Sequence, residues 1–412
     1  MEVELTIDSV AAGGDGVGRA DGLVVFVPRT AAGDVVRVRA ETRAGGRFAR
    51  GALVDVVERS PSRVEPPCPH YVRDDCGGCQ LQHIAYAAQV EAKRAIIRDA
   101  FVRIARRDVE LPEVRPSPVE WRYRRKLTLA LRRVSGRWVA GLHPFHDPAR
   151  VFELADCPIT QEPVLEVWHA IMAHSRLLPR VPALRGAVRI VDGGASFVLE
   201  GGSAWPQARA LFDAVPALTA LWWQPEGHRR RNIAHRGRAG EHADSASFVQ
   251  VNPPVAEALR AHVVERVRSL APARVVDAYA GSGETAAQIA GPDTEVAAIE
   301  LDRHAAAAAG ARLTPPSRAI AGAVEDVLPE LLPADVVVLN PPRTGIHARV
   351  AATLEETATA PRGVVYVSCD PATLARDLAR MPRYRIASLL GFDMFPQTAH
   401  VETVCELVPE AA

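Results

Sequence analysis

Arg274-Val275-Val276-Asp277-Ala278-Tyr279-Ala280-Gly281-Ser282-Gly283-Glu284-Thr285 is the stretch that decides the fold. A short apolar strand runs into a Gly-x-Gly turn, and a helix is expected from Thr285 to Ala290. Glycines in such a turn let the backbone approach a ligand, and the crevice at strand carboxyl ends is where doubly wound α/β folds bind nucleotides. A second strand, Glu295-Val296-Ala297-Ala298-Ile299, ends in Glu300, placed to accept hydrogen bonds from ribose hydroxyls. A third, Asp335-Val336-Val337-Val338-Leu339, ends in Asn340-Pro341-Pro342-Arg343. An acid after the second strand, a polar-Pro-Pro turn after the third and no Gly-Lys-Ser/Thr phosphate loop favour S-adenosylmethionine over NAD or ATP as ligand.

Further along, Val364-Val365-Tyr366-Val367-Ser368-Cys369-Asp370-Pro371-Ala372-Thr373 reads as a buried strand stopped by Pro371, with a helical pattern from Thr373 to Asp377. Cys369 is thus expected at the exposed carboxyl end of a strand beside a helix N-terminus, a position that lowers a thiol pKa and favours the nucleophilic thiolate. Cys405, in a later apolar run, suits a core-filling role instead.

With these residues in hand, the chain resembles the RNA 5-methyluridine methyltransferases, S-adenosylmethionine-dependent uracil-5 enzymes that act on tRNA or rRNA. Phe248-Val249-Gln250-Val251-Asn252-Pro253 is similar to the family's Phe-x-Gln-x-Asn signature, and Asn340-Pro341-Pro342-Arg343 to its Asp-Pro-Pro-Arg turn. Val367 to Asp377 resembles the nucleophile segment and His400-Val401-Glu402-Thr403-Val404 the general-base segment. The resemblance implies Cys369 as nucleophile and Glu402 as base. It also implies Gln250, Tyr279, Glu284, Glu300 and Asn340 as S-adenosylmethionine contacts. Carbon 5 of uracil is too poor a nucleophile to attack a methyl sulfonium unaided. Thiolate addition at carbon 6 activates it, and a base must later remove the carbon 5 proton so that the cysteine can leave. The family usually has Asp at position 340, Asn at 370 and Asn at 284. An amide at Asn340 weakens a cofactor contact on this reading, and Asp370 adds charge that raises the thiol pKa.

Four cysteines remain outside this domain: Cys68-x7-Cys76-Gly77-Gly78-Cys79, and Cys157 far downstream. Four thiolates can hold a 4Fe-4S cluster or a structural zinc. One Cys-x2-Cys pair plus two single cysteines, flanked by Pro67, Pro69 and Pro158, favours the cluster, with zinc as the alternative. The arrangement also resembles the 4Fe-4S site of many family members. Disulfides are not expected, because the start Met1-Glu2-Val3-Glu4-Leu5 lacks a secretory pattern.

Composition sets the bounds. The 412 residues suggest two to three domains, and no apolar run reaches membrane-spanning length. Net charge is zero, so contacts to RNA must be local. From Trp121 to Trp138 there are seven basic residues and no acidic one (Arg122, Arg124, Arg125, Lys126, Arg132, Arg133, Arg137), interleaved with Trp121, Tyr123 and Trp138. Five arginines and no acid follow between His228 and Arg238. Arginines beside aromatic rings suit phosphates and stacked, unpaired bases.

The expected architecture is multidomain α/β. Residues 1–60 form an OB-like RNA-binding barrel, with strands at Val3–Ile7, Gly22–Val27, Asp34–Ala40 and Ala52–Val57. Gly16-Val17-Gly18-Arg19 with Val24-Val25-Phe26-Val27-Pro28 resembles the family's TRAM domain. Residues 61–82 and 116–247 form a central α+β iron–sulfur and RNA-binding domain, with strands at Lys126–Leu131, Ala187–Val191 and Ser196–Glu200 and a helix near Pro163–Ser175. Residues 83–115 and 248–412 form the Rossmann-like methyltransferase domain, including an amphipathic helix over Tyr86–Ala105. A monomeric, cytoplasmic enzyme acting on rRNA or tRNA is expected. The alternatives are a catalytically impaired paralogue, a non-catalytic RNA-binding iron–sulfur protein and an RNA cytosine-5 methyltransferase. The last normally carries a second Cys after the Pro turn, where positions 340–343 have none.

Overall fold

The computed structural model describes residues 2–42, 46–191, 193–237 and 250–410. Phe248, Val249 and Arg238, each part of a motif or patch above, lie outside the described residues. The chain builds three sheets.

The first is a closed barrel of β1 (Glu2–Val10), β2 (Gly16–Ala20), β3 (Leu23–Val27), β4 (Val35–Thr42) and β5 (Phe48–Glu58), in the order β1-β2-β3-β5-β4. Alternating residues fill it: Leu5, Ile7, Val25, Val27, Val36 and Val38 are all buried. Strand β2 falls where the sequence reads as a glycine-rich turn. Glycine has low strand propensity, yet Gly16 and Gly18 pair here with Val27 and Ile7. At the barrel's exit the buried carboxylate of Asp34 pairs with Arg63 at 2.5 Å and accepts from the Ser60 amide.

The cysteine segment follows, with α1 (Pro69–Arg73) after Cys68 and then α2 (Tyr86–Ala100). The helix expected to run to Ala105 ends at Ala100, and Phe101–Ala105 continue as a wider five-residue turn with Phe101 fully buried. On α2, Lys93 is not a surface cation: its ammonium lies 2.5 Å from Asp393 and both side chains are wholly buried.

The second sheet comprises β7 (Lys126–Val134), β8 (Arg137–Leu142), β9 (Phe152–Glu153), β10 (Ala183–Val191), β11 (Gly194–Glu200), β12 (Leu218–Gln224) and β13 (Arg231–His235). Their order is β13-β12-β11-β10-β7-β8-β9. α3 (Glu162–Ala173) packs on β10 and β7, its Trp168 meeting Phe197 edge-on with centroids 5.6 Å apart; α4 (Ala208–Ala214) adds Leu211 and Phe212 to the same core.

The third sheet is ordered β16-β15-β14-β17-β18-β20-β19-β6. Its strands are β6 (Glu113–Arg115), β14 (Arg274–Ala278), β15 (Glu295–Glu300), β16 (Arg318–Ala321), β17 (Val336–Leu339), β18 (Gly363–Ser368), β19 (Tyr384–Phe392) and β20 (Glu402–Pro409). Strands β14 to β18 are mutually parallel, whereas β20 runs antiparallel to both β18 and β19. Every residue of β17 and β18 is buried, as apolar cores on both faces require. The remaining helices are α5 (Pro253–Ser269), α6 (Glu284–Ile289), α7 (Arg303–Arg312), α8 (Val324–Leu331), α9 (Ala348–Glu356) and α10 (Pro371–Leu378). Among the described residues no helix is long and apolar enough to cross a membrane.

Candidate active site

The register of the third sheet builds the site. Ser368, the last residue of β18, pairs with Thr403 near the start of antiparallel β20. The next residues outward, Cys369 and Glu402, therefore emerge side by side where the ladder ends. Cys369 is half-buried; Glu402 is 4% exposed. Lodged between two strands rather than at a wet edge, the Glu402 carboxyl is pushed up to about 7 by burial, against the opposing charge of Arg343.

The thiol departs from the sequence expectation. Its pKa is raised, not lowered: burial disfavours the thiolate, the carboxylate of Glu402 repels it, and Arg343 opposes these more than Asp370 adds to them. The helix N-terminus that should help is already occupied. Asp370 is the cap of α10, its Oδ1 accepting from the amides of Ala372 (2.9 Å) and Thr373 (3.4 Å). Asp and Asn cap helices about equally well, which accounts locally for an acid where the family usually has an amide.

Arg343 was quoted in its turn but given no role by sequence. Its guanidinium bears on Cys369, Glu402 and His400 together. Helix α10 holds that turn from behind. Thr373 Oγ1 donates to the Arg343 carbonyl at 3.2 Å, and Arg376 Nη2 to the Thr344 carbonyl at 2.7 Å. Buried Asp377 accepts from the Ile346 amide (3.0 Å) and the Tyr366 hydroxyl (2.7 Å). Gly345 has φ +80°, and a Cβ there would stand 2.2 Å from Asp377 Oδ2, so only glycine lets the turn sit this close. The signal lay about two helical turns past Cys369: the adjacent Arg376 and Asp377 on a helix with an apolar face.

The loop between β19 and Glu402 is gripped from three sides. Lys93 binds Asp393 and the Phe395 carbonyl; Gln89 exchanges hydrogen bonds with Gln397. The Gln80 and Leu81 amides both donate to the Gln397 carbonyl. Tyr123 Oη donates to the Pro396 carbonyl at 3.1 Å. None of these pairings spans fewer than 270 residues of sequence, so local patterns could not reveal them.

Four of the five expected cofactor contacts cluster at the carboxyl ends of β14, β15 and β17. Glu300 ends β15; its Oε2 accepts from the Gly281 amide (2.9 Å) and its Oε1 from the Asp302 amide (2.8 Å), which fixes the carboxylate over the glycine turn. Tyr279 has φ +63°, a left-handed conformation uncommon outside glycine. Gly283 has φ +78° and is packed against Ala309, where a Cβ would come within 2.7 Å. Asn340 is exposed at the end of β17. Glu284, at the start of α6, is ion-paired with Arg260 of α5 at 2.5 Å, so it has a structural partner where the family's amide would have none of that charge. Gln250 opens the described segment that leads through buried Asn252 into α5, and Asn252 donates to Ser117 Oγ. Beneath the turn, wholly buried Asp277 is pushed up to about 7 by desolvation while accepting from the Ala286 amide. An acceptor aimed over a glycine cradle and a polar side chain at the third strand suit a nucleoside ligand.

Cys68, Cys76, Cys79 and Cys157 are all buried, and all but Cys76 belong to the central core. Burial pushes Cys76 up to about 11 and Cys79 to about 12, and each thiol of this pair also senses Cys157 and Cys68. The four donors thus converge from two distant chain segments. No three His, Cys, Asp or Glu among the described residues are gathered closely enough to hold a single metal ion. The donor chemistry, four mutually sensing thiols, fits a thiolate-held group.

Comparison with known proteins bears on both ends of the chain. A family model described as tRNA (Uracil-5-)-methyltransferase matches residues 324–408, and the TRAM domain model matches residues 1–54. An uncharacterized RNA methyltransferase of Thermosynechococcus vestitus is 34% identical, with 98% of this chain and 97% of that protein covered. One of Gloeobacter violaceus is 32% identical over 98% and 96%. The crystal structure of Pyrococcus abyssi tRNA (uracil-54, C5)-methyltransferase in complex with S-adenosyl-L-homocysteine has the same fold, with TM-score 0.71 and 23% identity, covering 98% of this chain and all of that one.

Proposed function

Because the chain belongs to the RNA methyltransferases of the tRNA (uracil-5-)-methyltransferase type, we propose that it methylates carbon 5 of a specific uridine in tRNA or rRNA through a covalent Cys369 adduct. The observation that carries this reading is the emergence of Cys369 and Glu402 side by side from the β18–β20 ladder. Cys369, as thiolate, forms a bond from Sγ to carbon 6 and makes carbon 5 nucleophilic. S-adenosylmethionine, held by Gln250, Tyr279, Glu284, Glu300 and Asn340, supplies the electrophilic methyl group. Glu402 then takes the proton from carbon 5, the Sγ–carbon 6 bond breaks, and the thiolate is regenerated. A carboxyl held near 7 is a far stronger base than an exposed glutamate and is still ionised in part at neutral pH. Arg343 stabilises both anionic states of the pair, the thiolate before addition and the carboxylate before proton removal.

Burial and the carboxylate of Glu402 push the Cys369 thiol toward its protonated form, against the charge of Arg343. We assign Cys68, Cys76, Cys79 and Cys157 as ligands of a 4Fe-4S cluster, zinc being the alternative. Its role is structural, since the segment bearing Cys79 continues into the Gln80 and Leu81 amides that grip the loop before Glu402. The barrel and the central sheet are read as RNA-binding, and the enzyme as monomeric and cytoplasmic. Incubation with RNA containing 5-fluorouridine tests the reaction class: a uracil-5 enzyme accumulates a stable covalent complex, because fluorine cannot leave as a proton does. Absence of a complex with tRNA and rRNA alike, from protein that binds S-adenosylmethionine, would reject the uracil-5 assignment.

A further inference from the structure

Strand alternation sorts the central sheet into two faces. Leu127, Leu129, Leu184, Val188, Phe197 and Leu199 point into the core beneath α3. The opposite face carries a groove of about 190 Å³. Its floor is made of small side chains, since Thr128 pairs with Ala187 and Ala187 with Val198 across β7, β10 and β11. At one end Lys126 pairs with Arg189, which pairs in turn with Ser196. At the other, Arg185 lies opposite Glu200, and Arg230 reaches the same carboxylate at 3.6 Å.

Among the described residues, Lys126, Arg185, Arg189 and Arg230 line the groove together with one carboxylate, Glu200. We propose that this groove holds the phosphate backbone of the RNA strand flanking the target uridine. The inference rests on the reading of the protein as an RNA methyltransferase and adds where the substrate lies. The cations are close enough to repel one another: the Lys126 ammonium is held below its ordinary value by desolvation and by Arg189, Arg185, Arg230 and Arg124. Such a set is relieved by an anion. The hydroxyl of Ser196, buried in the floor of the groove, has no hydrogen-bond partner among the described residues. From Arg189 to Arg185 the strand runs roughly 13 Å at about 3.4 Å per residue, long enough for more than one phosphate. Arg124 is within electrostatic reach of both Lys126 in the groove and His400 beside Glu402. Lys126 belongs to the first basic run of the sequence and Arg230 to the second; the fold brings them together around Arg185 and Arg189 from neither.

The test uses the full protein and a fluorescently labelled oligouridine strand, with affinity measured across a salt series. Arg185→Glu with Arg230→Glu should weaken binding at least tenfold at low salt and reduce the salt slope by about 1.4, at about 0.7 per phosphate contact on a single strand. S-adenosylmethionine binding should not change. Glu200→Gln should tighten oligouridine binding about threefold by removing the opposing charge, a direction that a folding defect cannot produce. Unchanged affinity and slope in both variants, with wild-type binding intact, would overturn the groove assignment alone. Equal binding of labelled polyglutamate with the same slope would make the groove a site for acidic protein and overturn it too. Failure of wild-type protein to bind RNA at all would overturn the functional reading together with it.

Discussion

Cys369 and Glu402 stand next to each other because Ser368 pairs with Thr403 where antiparallel β20 joins the parallel strands at β18. The strand carrying Glu402 re-enters the sheet beside the strand that ends at Cys369. One register therefore sets the separation of the two groups, and the paired backbone holds it against side-chain motion. Both groups are pushed toward their protonated forms by the same burial, and Arg343 is the cation that opposes this for both.

Removing the nucleophile should stop the reaction without disturbing the cofactor. Cys369→Ala is expected to lose methyl transfer by at least 10⁴-fold while binding S-adenosylmethionine as wild type does, because the glycine turn, Glu300 and Asn340 lie on other strands. Single-turnover transfer of labelled methyl, alongside calorimetric titration, checks both halves. Residual turnover within about tenfold of wild type would identify another nucleophile.

Asp377 should act on the reaction from behind the Arg343 turn. Asp377→Asn keeps the shape but lowers the negative charge that binds Arg376 and accepts from Tyr366 and Ile346. The expected cost is roughly 2 kcal/mol of stability, as for a buried charged hydrogen-bond acceptor. A fall in kcat larger than the change in KM for S-adenosylmethionine is expected with it. Asp377→Ala should cost more, and equal kcat in both variants would remove Asp377 from any positioning role.

Burial of Glu402 makes a stability prediction with a definite sign. Its folded-state value of about 7 lies above the ordinary 4.5, so the folded protein binds this proton more tightly than the unfolded chain. The contribution is fully present below about pH 4.5 and is lost as pH rises through 7. Glu402→Gln removes that loss. The variant should exceed wild type in stability by on the order of 3 kcal/mol at pH 8 and approach it near pH 4.5. Asp277, also raised to about 7, keeps its own pH dependence in both proteins and cancels in the difference. Denaturant unfolding at the two pH values measures it, and a variant less stable than wild type at pH 8 would mean that the carboxylate is held by favourable contacts.

Four of the five parallel strands were legible in the sequence because each is a short apolar run that ends in a turn with a distinct residue, Gly281, Glu300, Asn340 or Cys369; the fifth, β16, is only Arg318–Ala321 with its ends exposed and gives no such signal. The strand β2 was not, since Gly16 and Gly18 give no strand signal and pair only because the barrel closes. The place of Cys369 between a strand and a helix was legible, but the state of its thiol was not: that depends on Glu402, 33 positions later in the numbering, and on Asp370 having taken the helix cap. The role of Lys93 was not legible in the amphipathic helix that carries it: in the fold it pairs with Asp393, 300 residues away, and the wholly buried pair fixes the loop before Glu402.

The cysteine set offers an independent check. Cys68→Ser, Cys76→Ser, Cys79→Ser and Cys157→Ser should each bleach the brown absorbance of anaerobically purified protein. Each should also lower the thermal midpoint by several degrees, since the four join two distant segments around one core. Metal and sulfide analysis of the native protein decides the group: stoichiometric zinc without iron or sulfide would replace the cluster by a zinc site.

On the proposed mechanism, Glu402 removes the carbon 5 proton from an adduct held by Cys369. Glu402→Gln keeps nearly the same shape but cannot accept that proton, so addition and methyl transfer should proceed and elimination should fail. Denaturing electrophoresis after incubation with RNA and methyl-labelled S-adenosylmethionine should show labelled RNA attached to the protein, and Cys369→Ala with Glu402→Gln should show none. Release of free 5-methyluridine RNA by Glu402→Gln at the wild-type rate would contradict the claim.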